Sequence, residues 1–106
     1  MIEADNIVLG GNIELVGFKG MDGGSMVILK KMVGNHVRKM GEMCEKFEKL
    51  TVTMKKVGSG GNKFEINAKI LDNGKQYVSE VTDFNLFFTL DKALNKLNNE
   101  IRHEGE

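Results

Sequence analysis

The dipeptide Asn73-Gly74 restricts the fold of this chain more than any other feature, because it joins two runs of alternating apolar and polar residues. A two-residue type I′ turn requires positive φ at both central positions, which Asn and Gly tolerate. Pairing Asp72 with Lys75 sets Ile70 opposite Tyr77, Ala68 opposite Ser79 and Ile66 opposite Val81, so apolar partners share one face. A further alternation lies upstream, Leu50, Val52 and Met54 against Thr51, Thr53 and Lys55, separated by Gly58-Ser59-Gly60-Gly61-Asn62. Three antiparallel strands are predicted. Their other face, with Thr51, Thr53, Lys55, Glu65, Asn67, Lys69, Gln76 and Glu80, reads as solvated.

Two amphipathic helices flank this unit. Met26, Leu29, Val33, Val37, Met40 and Cys44 fall in one narrow wedge when each residue advances about 100°. Ser25 is the expected N-cap, after a turn through Gly20-Met21-Asp22-Gly23-Gly24. The opposite side carries Lys31, Asn35, Arg38, Lys39, Glu42 and Lys46. Gly34 and Gly41 share one flank, which implies either a closely passing backbone or a helix that ends at Gly41. Near the C-terminus, Leu86, Phe87, Leu90, Ala93, Leu94, Leu97 and Ile101 define the second helix over 85–102, with Thr82 or Asp83 as its cap.

The segment from Asn12 to Phe18 reads as a first strand, with Ile13, Leu15 and Gly17 facing one way and Glu14, Val16 and Phe18 the other; Gly10-Gly11 precedes it. The expectation is an α+β two-layer sandwich of order β-α-β-β-β-α, with a four-stranded, mainly antiparallel sheet and both helices on one face. No repeat or long linker divides the 106 residues, so one domain with an ordered core over about 12–103 is expected.

Charge and cysteine content exclude several classes. Lys plus Arg number 15 and Asp plus Glu 15, so electrostatic binding must come from local patches and not from a global field. Cys44 is the only cysteine, which rules out an intrachain disulfide and multi-thiol zinc sites and suggests a cytoplasmic setting. Glu3 and Asp5 stand where a secretory leader would be basic, and no run of about 18 apolar residues indicates a membrane span.

Catalytic patterns are sparse. His36 and His103 have no companion base or ligand at useful spacing. Cys44 ends an apolar stripe, the position of an inert buried thiol. Glu42, Glu45 and Glu48 interleave with Lys46 and Lys49 as a solvated segment, and Gly58 to Lys63 precedes a strand where a phosphate loop requires a helix. The methionines, including Met21, Met26, Met32, Met40, Met43 and Met54, fill the core or form an adaptable surface. No enzyme activity, cofactor, metal or small-molecule substrate is expected. The outward face of the second helix is more informative: Phe88 lies opposite the apolar stripe with Lys92, Asn95, Asn99 and Arg102 nearby. An aromatic ring beside cations and amides suits RNA. The alternative for Phe88 is packing beneath the preceding loop or at a homodimer interface.

From Ala68 to His103 the chain resembles the ribosome hibernation promoting factor and ribosome-associated inhibitor family, also called the sigma-54 modulation family. The residues that carry the resemblance are Asn73-Gly74, Asn85-Leu86-Phe87, Leu90-Asp91, Lys96-Leu97 and Arg102-His103, without a gap, and the element order extends it over about residues 12–103. The resemblance implies a non-enzymatic factor of the short, single-domain type, which binds ribosomal RNA of the small subunit near its mRNA and tRNA sites. By position, it implies RNA contacts from Lys31, Arg38 and Lys39 on the first helix and Lys92, Lys96, Arg102 and His103 on the second. The family's basic tail is replaced here by Asn98 to Glu106, so fewer phosphate contacts and a shallower salt dependence are expected. A protein-protein interaction module on the same fold is the second reading.

Overall fold

A computed structural model describes residues 6–10 and 12–105. Glu3, Asp5 and Gly11, used in the sequence reading, lie outside the described residues. The elements run β1 (Asn6–Leu9), β2 (Ile13–Val16), α1 (Gly23–Met43), β3 (Phe47–Val57), a short 3-10 turn at Ser59–Gly61, β4 (Lys63–Asp72), β5 (Lys75–Asp83) and α2 (Leu86–Gly105).

The sheet has five strands in sequential order, not the expected four. β1 and β2 form an antiparallel hairpin, α1 crosses over to make β3 parallel to β2, and β3, β4 and β5 continue as an antiparallel meander. The α+β class stands, and the sheet is mixed. The Asn73-Gly74 hairpin adopts the expected register, with Ile66, Ala68 and Ile70 opposite Val81, Ser79 and Tyr77. Asn73 is the one positive-φ residue other than glycine among the described residues, at 52°, and Gly74 follows at 83°, as the turn demands.

Phe18 departs from the expected alternation. β2 ends at Val16, and Gly17 takes a φ of +89°, which breaks the two-residue period and turns Phe18 into the core, where it is fully buried. A Cβ on Gly17 would lie 2.3 Å from the Met54 carbonyl oxygen, so this is a true close approach of two backbones. Gly34 and Gly41 behave otherwise. Neither has any atom within 4 Å of an added Cβ, and α1 continues past Gly41 to Met43, so both explanations offered for them fail.

Both helix caps differ from expectation. Asp22, not Ser25, caps α1: its carboxylate accepts from Ser25 N–H at 2.8 Å and from the Ser25 hydroxyl at 3.2 Å. Those two bonds hold the Asp22 carboxyl below its ordinary pKa. Asn85, not Thr82 or Asp83, caps α2, its Oδ1 accepting from Phe88 N–H at 2.8 Å. Both predicted caps lie within three residues of the true one.

The core forms between one sheet face and the two helices. Leu15, Leu50, Val52, Ile66, Ala68 and Ile70 meet Leu29, Val33 and Met40 from α1 and Leu90, Ala93, Leu94 and Leu97 from α2, all fully buried. Burial of this apolar area is the main source of stability. Met40 and Met54 are buried, and Met21, Met26, Met32 and Met43 pack partly buried against the core, so these methionines serve mainly to fill it. Ser79 satisfies its buried hydroxyl by donating to the Ala93 carbonyl at 2.7 Å, which fastens α2 over β5.

Candidate nucleic-acid interface

The two helices begin at the same end of the molecule, since Ser25 of α1 and Leu86 and Phe87 of α2 line a common cavity. Met43 of α1 and Ile101 of α2 line another at the far end. Between these ends the helices are joined by a polar bridge. His36, buried, places Nε2 2.8 Å from Asp91 Oδ1 and Nδ1 3.2 Å from Asn98 Nδ2. Each ring nitrogen thus has a polar side-chain atom within hydrogen-bond distance. Asp91 lies 55 residues away in sequence, which is why spacing alone gave His36 no partner.

Every site residue expected from the sequence reaches the surface. Lys31, Arg38 and Lys39 on α1 and Phe88, Lys92, Lys96, Arg102 and His103 on α2 are all exposed. α1 presents Lys30, Lys31, Arg38 and Lys39 with Glu42 as its one acid, so the balanced overall charge hides a cationic helix. On α2 the signs are mixed, with Asp91 and Glu100 among Lys92, Lys96 and Arg102. Phe88 is 52% exposed, which excludes packing beneath the preceding loop, and Lys92 holds its ammonium 5.1 Å from the ring centroid.

The other α2 cations have local tasks. Lys96 donates to the Glu80 carbonyl at 3.3 Å, reaching over the outer edge of β5. Such a lysine blunts an edge strand against further pairing. Arg102 donates to Asn99 Oδ1 at 3.2 Å along the helix.

Sequence reasoning missed a second aromatic and cation pair. Phe84, in the link between β5 and α2, is 60% exposed, with Lys63 Nζ 5.1 Å from its ring centroid. The signal was present in the chain as Phe84 and Phe88 four residues apart, but Lys63 comes from the far side of a hairpin.

Cys44 follows α1 beside the buried Asp72 carboxylate. Desolvation, reinforced by that negative charge and by a thiol hydrogen bond to it, pushes the Cys44 pKa from 9.0 to about 11. The thiol stays protonated and unreactive at neutral pH. Among the described residues no cluster of three or more His, Cys, Asp and Glu is placed to hold a metal ion, and no helix is long and apolar enough to cross a membrane. No protein-family model matches the chain, and no curated protein sequence matches it.

Proposed function

We propose that this protein is a non-enzymatic RNA-binding factor that docks the outer face of its helices on ribosomal RNA of the small subunit and so restrains translation. One observation carries the reading: in a chain with equal numbers of acids and bases, α1 exposes four cations against one acid. A local cationic ridge in a neutral protein suits a polyanion, because phosphate contacts release condensed counterions and supply most of the binding free energy. Exposed Phe88 and the Asn95 and Asn99 amides add groups for base and sugar. The resemblance in element order and in the residues from Ala68 to His103 adds the ribosome as the particular RNA.

Co-sedimentation with purified small subunits at low and moderate salt tests the proposal. Binding that weakens with salt, and is lost when Lys31 and Arg38 are changed to Glu, is the expected result. Absence from the subunit fraction at both salts refutes it. The second reading, a protein-interaction module, draws on Val27 and Ile28, 58% and 53% exposed on the same helix. It predicts partner binding that survives the charge reversals.

A further inference from the structure

We infer that the end of the molecule where both helices begin is a stacking platform for an unpaired stretch of RNA, an inference that rests on the RNA reading of the helix face. Among the described residues, the large apolar side chains most exposed to solvent are Val8, Val27, Ile28, Val78, Phe84 and Phe88. Val8 and Val78 belong to strands; the other four lie within the first turns of α1 or within and just before the first turn of α2. The only two phenylalanines this exposed among the described residues are both here, and each has a lysine ammonium 5.1 Å from its ring centroid.

A cavity opens at this end of the molecule. It holds about 300 Å³ and is lined by Met21, Met54, Phe64, Leu86 and Phe87, with Lys56 and Asp22 also on its wall. Phe84 follows Asp83, the strand partner of Phe64, and Phe88 follows Phe87, so each ring is close along the fold to a residue of the cavity wall. Two exposed rings, each with a lysine beside it, at the end that carries this recess offer π-faces for bases and cations for the phosphates between them.

Three acids accompany these groups, and each also accepts hydrogen bonds within the fold. Asp22 caps α1, Asp83 accepts from the Phe84 N–H at 2.7 Å, and Asp91 is held by His36 and by the Asn95 amide. Unpaired RNA is the form that fits. In a duplex the base faces are stacked on one another and only edges, sugars and phosphates are presented, so exposed rings gain nothing from it. In the free protein each ammonium rests over its ring; when a base takes the ring face, the lysine is released toward a phosphate.

Fluorescence anisotropy of the full chain with labelled RNA tests this, using an unpaired strand of about 12 nucleotides and a duplex of the same length. The unpaired strand is expected to bind at least about tenfold tighter, and each of Phe84→Ala and Phe88→Ala to weaken it about tenfold while leaving the duplex unchanged. Tyrosine at either position retains a stacking face and restores binding. Equal affinity for both RNAs, or alanine variants that bind the unpaired strand like the parent, overturns the platform. If the charge reversals at Lys31 and Arg38 abolish binding while the alanine variants do not, the RNA reading stands and the platform falls. If the parent binds neither RNA at low salt, both fall. Should the alanine variants instead abolish self-association of the parent in sedimentation, the rings are a contact between copies and the platform is wrong.

Discussion

The two ends of the helix pair use their side chains in opposite ways. At the far end, polar groups are bonded to one another: the buried Asp72 carboxylate accepts from Lys46 N–H at 2.7 Å and Glu45 N–H at 3.3 Å, and at the surface Glu48 accepts from Gly74 N–H and Asn73 Nδ2 donates to Glu45. These bonds tie the loop after α1 to the β4–β5 turn and leave little for a partner. At the near end, apolar groups are left outside the fold, with Phe84 and Phe88 more than half exposed. Burying a polar group costs free energy unless it is hydrogen-bonded, and exposing an aromatic forgoes the gain of burying it. The far end therefore reads as structure and the near end as surface for something else.

Asp72 is the residue whose loss should cost the most. Asp72→Ala leaves two backbone N–H groups without their acceptor at a buried site and should cost about 3 kcal/mol, read as a lowered urea midpoint with unchanged slope. Asp72→Asn keeps an acceptor and removes the charge, so it should cost less while lowering the Cys44 pKa. The sign for the thiol is fixed. A pKa raised from 9.0 to about 11 means the native state holds this proton more tightly, so the contribution to stability is full below pH 9 and is lost as pH rises through 11. Iodoacetamide labelling at pH 8 should be slow in the parent and faster in Asp72→Asn. A parent Cys44 that labels as fast as a free thiol refutes the far end as a closed polar structure.

The bridge between the ends comes next. His36→Ala removes one of the two partners of Asp91 and the partner of Asn98 Nδ2, and so adds a second unpaired amide atom to Asn98 Oδ1, which is already buried without a partner. A loss of about 2 kcal/mol in chemical denaturation is expected. The double variant His36→Ala/Asp91→Ala should lose less than the sum of the two single changes, because the residues act as one unit.

How much of this was legible in the chain depends on how far each feature reaches along it. The β4–β5 register was readable to the residue because a two-residue turn leaves one pairing for the strands it joins. β1 was missed because four residues give too short an alternation, and its role depends on pairing with β2. Phe18 was assigned to the wrong face because the period-two rule assumes extended φ, which Gly17 violates. The exposed cations and Phe88 followed from helical spacing, since a face opposite an apolar stripe must point outward. The His36, Asp91 and Asn98 bridge, the Lys63 and Phe84 pair and the recess at the helix starts were hidden, because each joins residues that only the tertiary fold brings together.

Gly34 gives the one expected gain. It lies in the interior of α1 with nothing within 4 Å of an added Cβ, so Gly34→Ala should stabilise the protein by about 1 kcal/mol through helix propensity alone. A destabilised variant in thermal melts would mean that the backbone at Gly34 is not the open helix described, and the cationic ridge around it would need redrawing.

The smallest effect on stability is the sharpest test of the contrast between the ends. Phe84 and Phe88 are large apolar residues, and truncating such a side chain in a core costs about 3 to 5 kcal/mol. Here each ring is more than half in solvent and meets a lysine whose cation–π contact is worth about 0.5 to 1 kcal/mol at an exposed site. Truncation also relieves the exposure of apolar area, which offsets part of that loss. Phe84→Ala and Phe88→Ala should therefore each change unfolding free energy by no more than about 0.5 kcal/mol, the range of ordinary surface substitutions. A loss above about 2 kcal/mol in either would place that ring in the core and make the near end structural like the far one. Near-neutral stability beside a measurable loss of binding is the pattern of residues kept at the surface for a partner, since the fold itself gives no reason to leave two phenylalanines in water.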